Sequence, residues 1–199
     1  MPRTAQVNQQ IREETKEKIL TAAKRVFARK GMSAKMSEVA TEASVSQGLA
    51  YHYFPSKEAI FVALVRQMVV TPDEIRRRAD TIHGSPLDRL RQMVSNMVER
   101  RRRDPGFYQL MRQASSNDTL PTDLREALLT QGVAVQDVMR QLVAEGQARG
   151  EIANDNPDKL VRAILACLDG LPGVVLPSPE LVEKQMPDAR IVIRMLRPD

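Results

Sequence analysis

Apolar residues recur along this chain at intervals of three and four, the spacing that puts side chains on one face of an α-helix. Ile19, Ala23, Val26 and Phe27 follow that rule and predict a helix from about Ile11 to Lys30. Gly31 closes it, with Arg29 and Lys30 in the last turn, where the helix dipole favours cations. Residues 1–10 are polar and are expected to fray. Two short segments follow. The first, Ser37 to Ala43, places Val39, Ala40 and Ala43 on one face. The second starts after Ser46 and ends by Phe54, because Pro55 disfavours a helical conformation in the residue before it. The turn between them is Ser44-Val45-Ser46. Two short helices around such a turn form the pattern of a helix-turn-helix.

The same period runs on to the C-terminus. Ser56 is a helix N-cap, and Ile60, Phe61, Leu64, Val65 and Met68 form the stripe behind it. Pro72 is expected to end or kink that helix, with a charged, exposed segment from Asp73 to about His83. Ser85-Pro86 and Asp104-Pro105 each read as a cap followed by proline at the first helical position. They open helices to about Arg103 and Ala114. A long helix is predicted from Thr122 to Arg149, closed by Gly150, and another after Asn156-Pro157. The latter is apolar nearly all round, so it needs partners on two sides, its own core and a second copy of the chain. Pro172, Pro177 and Pro179 bound a loop, and a last helix, whole or broken at Pro187, runs to Leu196. Ile191-Val192-Ile193 has strand character but no second strand to pair with. The fold class is all-α.

The second short helix is unusual for a core element. Tyr51, His52, Tyr53 and Phe54 are consecutive, and no helix buries four successive large side chains on one face. Some must face outward with polar tips, and the backbone and base edges of a DNA major groove would accept them. Residues 16–57 resemble the DNA-binding domain of the TetR family of transcriptional repressors. The matching residues are Ile19, Ala22, Ala23, Phe27, Gly31, Val39, Ala40, Ala43, Val45, Ser46, Gly48, Tyr51, Tyr53, Phe54, Pro55, Ser56 and Lys57. The match covers about a fifth of the chain.

That resemblance implies a DNA-binding domain over residues 1–57 and a larger helical regulatory and dimerisation domain over 58–199. It implies that Tyr51 and Tyr53 contact the DNA backbone, that His52 lies at the groove, and that Lys57 holds a phosphate. From the residues themselves, Ser46 caps the recognition helix and its neighbouring amides suit a phosphate. Gln47 is the first side chain within reach of a base edge, and glutamine pairs bidentately with adenine. Gly48 allows the backbone to approach DNA. Leu49 meets a thymine methyl or packs against the first helix. The loop before the motif departs from the family: its usual threonines are replaced by Ala34 and Lys35. Ser33 is then the expected cap, and Lys35 supplies a point charge in place of a hydroxyl.

Charge sharpens the picture. The net charge is +5. Residues 1–57 carry ten Lys/Arg against five acids, whereas residues 58–199 carry twenty of each. The excess sits with the suspected DNA reader, and a polyanion partner is the simplest reason. Arg3 and Arg12 would extend it as a basic arm. The run Arg100 to Arg103 is better explained as a solvated helix end that complements the dipole.

Little other chemistry is present. The one cysteine, Cys167, excludes an internal disulfide framework and a cysteine-based zinc site. His52 and His83 stand in separate contexts, and no nucleophile elbow, P-loop or dinucleotide fingerprint occurs. No apolar run reaches membrane-spanning length and no secretory h-region opens the chain. A cytoplasmic protein that is not an enzyme, with no cofactor and no metal, is expected. The leading reading is a ligand-responsive homodimeric repressor on a palindromic double-stranded operator. The expected effector is small and apolar or amphipathic, near Met93, Met97, Phe107, Tyr108 and Met111. The expected dimer contacts are Leu165, Leu168, Asp169 and Leu171. The alternative is a DNA-binding regulator controlled by a protein partner, or one without a small-molecule effector.

Overall fold

The computed structural model describes residues 5–115, 120–170 and 187–198, and every regular element among them is helical. In order these are α1 (Ala5–Lys30), α2 (Met36–Glu42), α3 (Gln47–Tyr53), α4 (Lys57–Met68), α5 (Pro72–Asp80), α6 (Pro86–Arg103), α7 (Pro105–Ser115), α8 (Thr122–Ala148), α9 (Pro157–Gly170) and α10 (Ala189–Ile193). A 3-10 turn, Gly31–Ser33, follows α1, and another, Arg194–Leu196, follows α10.

Side-chain oxygens start most of these helices. Ser46 and Ser56 accept the Leu49 and Ala59 amides, both at 3.1 Å. Ser85 accepts Asp88, and Asn156 accepts Asp158 and Lys159. Each bond satisfies one of the amides that a helix N-terminus leaves orphaned.

Three local expectations change, and one is met. Residues from Ala5 onward join α1 rather than fray. Gln9 and Gln10 donate to Glu13 and Glu14 one turn on, and such i,i+4 pairs support an exposed helix end. Pro72 neither ends nor kinks α4, which stops at Met68. It is the first residue of α5, where Thr71 Oγ1 accepts the Glu74 amide and a missing N–H costs nothing. Ser33 does not cap α2, because its hydroxyl donates back to the Lys30 carbonyl. The Lys35 amide donates instead to Glu38 Oε2 at 2.9 Å. Ile191 to Ile193 are helical, as the expected last helix requires, led by Asp188, whose carboxylate accepts the Arg190 and Ile191 amides. The proline-bearing loop, with Leu171, lies outside the described residues.

Contacts divide the chain into two units. Met1–Val69 with Gly106–Arg125 form the first, and Val70–Pro105 with Glu126–Asp199 form the second. The boundary expected after residue 57 thus falls inside the first unit. Its core shows why: Ile60, Phe61 and Leu64 of α4 are buried, and the Phe61 ring meets Phe27 of α1 edge-on at 6.1 Å. The segment around Gln113 joins the same unit. Gln113 Nε2 donates to the Phe27 carbonyl at 3.2 Å, one of the last carbonyls of α1 without a partner inside its own helix. Gly31 ends α1 at φ +58°, a conformation that costs glycine little. The second unit has a separate core in which Leu90, Val94, Met139, Ile164, Leu168 and Leu196 are fully enclosed.

Candidate nucleic-acid interface

The bend between α2 and α3 is made by the backbone. The Val45 amide donates to the Ala40 carbonyl and the Ser44 amide to the Thr41 carbonyl, each at 3.0 Å. Ser44 takes φ +51°. These two bonds around one left-handed residue form a Schellman ending, here with serine in the position that glycine usually fills. The chain turns sharply, and Ser46 then restarts it as α3.

α3 buries one edge and exposes the rest. Ala50 and Phe54, one turn apart, point into the core. Ser46, Gln47, Gly48, Leu49, Tyr51 and His52 are exposed, and Tyr53 is half-buried with its ring edge-on to His52 at 5.6 Å. Leu49 is 38% and Tyr51 46% exposed, which is high for large apolar and aromatic side chains. Leu49 therefore presents part of its side chain to solvent. A Cβ built on Gly48 would meet nothing within 4 Å. Among the described residues no contact requires glycine there.

Electrostatics separate the cations that brace the motif from those left for a partner. Arg29 Nη2 lies 2.7 Å from Glu42 Oε2, and Arg25 Nη1 lies 3.8 Å from the other oxygen. Lys30 bonds to Glu38. The hydrogen bond from Lys30, helped by the Lys35 amide, holds the Glu38 carboxyl below its ordinary range, and that from Arg29 does the same for Glu42. The last turn of α1 is thereby tied to α2. Lys35 is exposed beside the motif. Lys57 is half-buried, and its Nζ donates to the Met32 carbonyl at 2.5 Å, so one of its three protons holds the 3-10 turn after α1.

The arrangement is an exposed, polar and aromatic short helix, capped by serine, supported by a second short helix and a long brace. It has the dimensions and chemistry of a recognition helix. Comparison with known proteins agrees. The family described as bacterial regulatory proteins of the tetR family matches residues 19–64. The tetracyclin repressor-like C-terminal domain matches residues 83–172. The chain belongs to the TetR family. It is 23% identical over 150 residues to the HTH-type transcriptional repressor NicS of Pseudomonas putida, covering 75% of this chain and 71% of that protein. It is 25% identical over 145 residues to the HTH-type transcriptional regulator UidR of Escherichia coli, covering 71% and 70%. The fold matches PfmR of Thermus thermophilus with a TM-score of 0.68 at 19% identity, over 90% of this chain and 95% of that one. This TetR-family protein is a transcriptional regulator with a helix-turn-helix DNA-binding domain.

The remaining expected site residues fall as follows. Met93 and Met97 are half-buried against the core of the second unit. Tyr108 and Met111 are half-buried in the first unit, on α7, and the Phe107 side chain lies outside the described residues. Leu168 is a correction: it is fully enclosed in its own core, because it continues the inward stripe of Val161 and Ile164. Leu165 is half-buried against that core. Asp169 is exposed and pairs at 3.2 Å with Arg101, the one buried charged side chain among the described residues. Arg103 bonds to Glu99. An exposed stripe that sequence periodicity did not single out lies on α8, where Leu129 is 66% and Val133 55% exposed. Among the described residues no helix is long and apolar enough to cross a membrane.

Proposed function

We propose that the protein is a homodimeric, cytoplasmic repressor that binds a palindromic operator and is released by a small apolar or amphipathic effector. The carrying observation is the exposed face of α3, with Tyr51 and Leu49 outward and nothing near Gly48. In this reading Gln47 meets a base edge, and Tyr51, Tyr53, His52, Lys35 and the Ser46 end of α3 meet the backbone. Lys57 holds the Met32 carbonyl and offers its remaining protons to a phosphate. Leu49 lies against a thymine methyl.

A second copy is supported by the apolar positions left open in the second unit. Leu129 and Val133 stand one turn apart on α8, and Ala163, Ala166 and Cys167 are exposed on α9. A two-fold contact through these positions would cover them and present two recognition helices. Two successive major grooves require a separation of about 34–36 Å. The name of NicS as a repressor favours repression. Release needs an effector that prefers a different spacing, and the half-buried Met93 and Met97 of the second unit suit an adaptable apolar contact.

The test is selection of bound sequences from a random DNA pool by the purified protein. An inverted repeat with two half-sites is expected. Gln47→Ala is expected to relax one position in each half-site. No enrichment by a folded dimer freed of ligand by refolding would defeat the reading.

A further inference from the structure

Four arginines of the second unit converge on one cavity. Arg91 of α6, Arg190 of α10, and Arg194 and Arg197 around the 3-10 turn line a space of about 410 Å³, and Leu87 and Ile193 complete the lining. Like charges repel, so such a gathering needs compensation. Two of the four have it. Arg91 Nη1 lies 2.6 Å from Asp88, and Arg190 Nη2 lies 2.9 Å from Asp188. Arg194 and Arg197 pair with no carboxylate among the described residues, and both are exposed. Glu151 Oε2 accepts the Leu87 amide at 3.2 Å, and this carboxylate forms no ion pair with Arg194 or Arg197. The cavity therefore holds two exposed guanidiniums without a paired carboxylate among the described residues, beside the apolar Leu87 and Ile193.

We infer that this cavity binds a small organic dianion carrying an apolar group, as a phosphate monoester or a paired dicarboxylate. The chemistry is specific at each wall. Guanidinium forks match phosphate and carboxylate oxygens in bidentate geometry, whereas ammonium groups act as point charges. Two free forks match two negative charges. Leu87 and Ile193 give a short ring or chain a surface to cover, which a bare inorganic ion would leave wet. The volume lies within the usual range for small-molecule sites. The site is built from residues of the second unit alone and shares none with α3 or with the methionines considered above.

Isothermal titration of the full-length protein with phenyl phosphate and with phthalate tests this, at low salt and a pH above about 7, where the phosphate monoester is doubly charged. Saturable binding of at least one probe is expected, one per chain, falling as salt rises. Binding of only one probe identifies which head group the forks accept. Benzyl alcohol, which keeps the ring and lacks the charge, should not saturate. Arg194→Gln with Arg197→Gln should weaken the probe at least tenfold, about 1.4 kcal/mol, without changing the melting temperature of the free protein. Arg194→Lys with Arg197→Lys should fall between, because charge survives and the fork does not. The inference is overturned if neither probe saturates or if the double glutamine variant binds as the wild type does. It is also overturned if that variant loses affinity for duplex DNA while probe binding is unchanged.

Discussion

The Lys57 ammonium lies 2.5 Å from the Met32 carbonyl oxygen, across 25 residues of sequence. This contact joins the first turn of α4 to the 3-10 turn that follows α1. A hydrogen bond from a charged donor to a half-buried carbonyl contributes about 1.5–3 kcal/mol to stability. Lys57→Met keeps the aliphatic stem and removes the donor. It is expected to lower the unfolding free energy by about 1–2 kcal/mol in urea titration. Lost DNA affinity with unchanged stability would assign Lys57 to a phosphate alone.

The tie between α1 and α2 should respond to acid. Glu38 is held below its ordinary value of 4.5 chiefly by the hydrogen bond from Lys30, and Glu42 by the one from Arg29. A carboxyl depressed in the folded state contributes stability above its unfolded-state value and loses it as pH falls through the folded one. The contribution is thus complete at neutral pH and fades below about pH 4.5. Thermal melts of wild type and Glu42→Gln from neutral to acid pH should show a small gap at pH 7 that closes in acid. A constant gap would mean that the Arg29 pair is not its source.

How much of this was legible before the structure depends on how far each signal reaches along the chain. The caps at Ser46, Ser56 and Ser85 and the limits of α3 are local, set by residues within one turn of each other, and sequence periodicity placed them well. The bond from Gln113 to Phe27 spans 86 residues, and nothing near Gln113 announces it. For the same reason the division at residue 57 did not anticipate that α4 and the Gln113 segment share a core with the motif. Leu168 and Leu165 are both apolar on one helix, and periodicity alone does not say which side a second copy covers. The four-arginine cavity collects residues from both ends of the second unit, and no stretch of sequence holds them together.

Leu129 and Val133 offer the clearest test of assembly. A glutamate at Val133 would meet its own copy near a two-fold axis, where like charges and lost apolar burial both oppose association. Sedimentation velocity should find a dimer for the wild type and a monomer for Val133→Glu, with helical circular dichroism retained. A dimer that persists in the variant would place the contact on another face.

The most direct test of the DNA-reading face is Gly48→Ala, followed by two measurements on the same preparation. A Cβ at Gly48 meets nothing within 4 Å among the described residues, and alanine is the better helix former. The variant should therefore unfold later, by roughly 0.5 kcal/mol. Its affinity for the selected operator, followed by fluorescence anisotropy, should fall roughly tenfold, about 1.4 kcal/mol, because the added methyl stands where DNA must approach. Higher stability with reduced affinity cannot come from unfolding and would identify this face as the reader. Higher stability with unchanged affinity would contradict it.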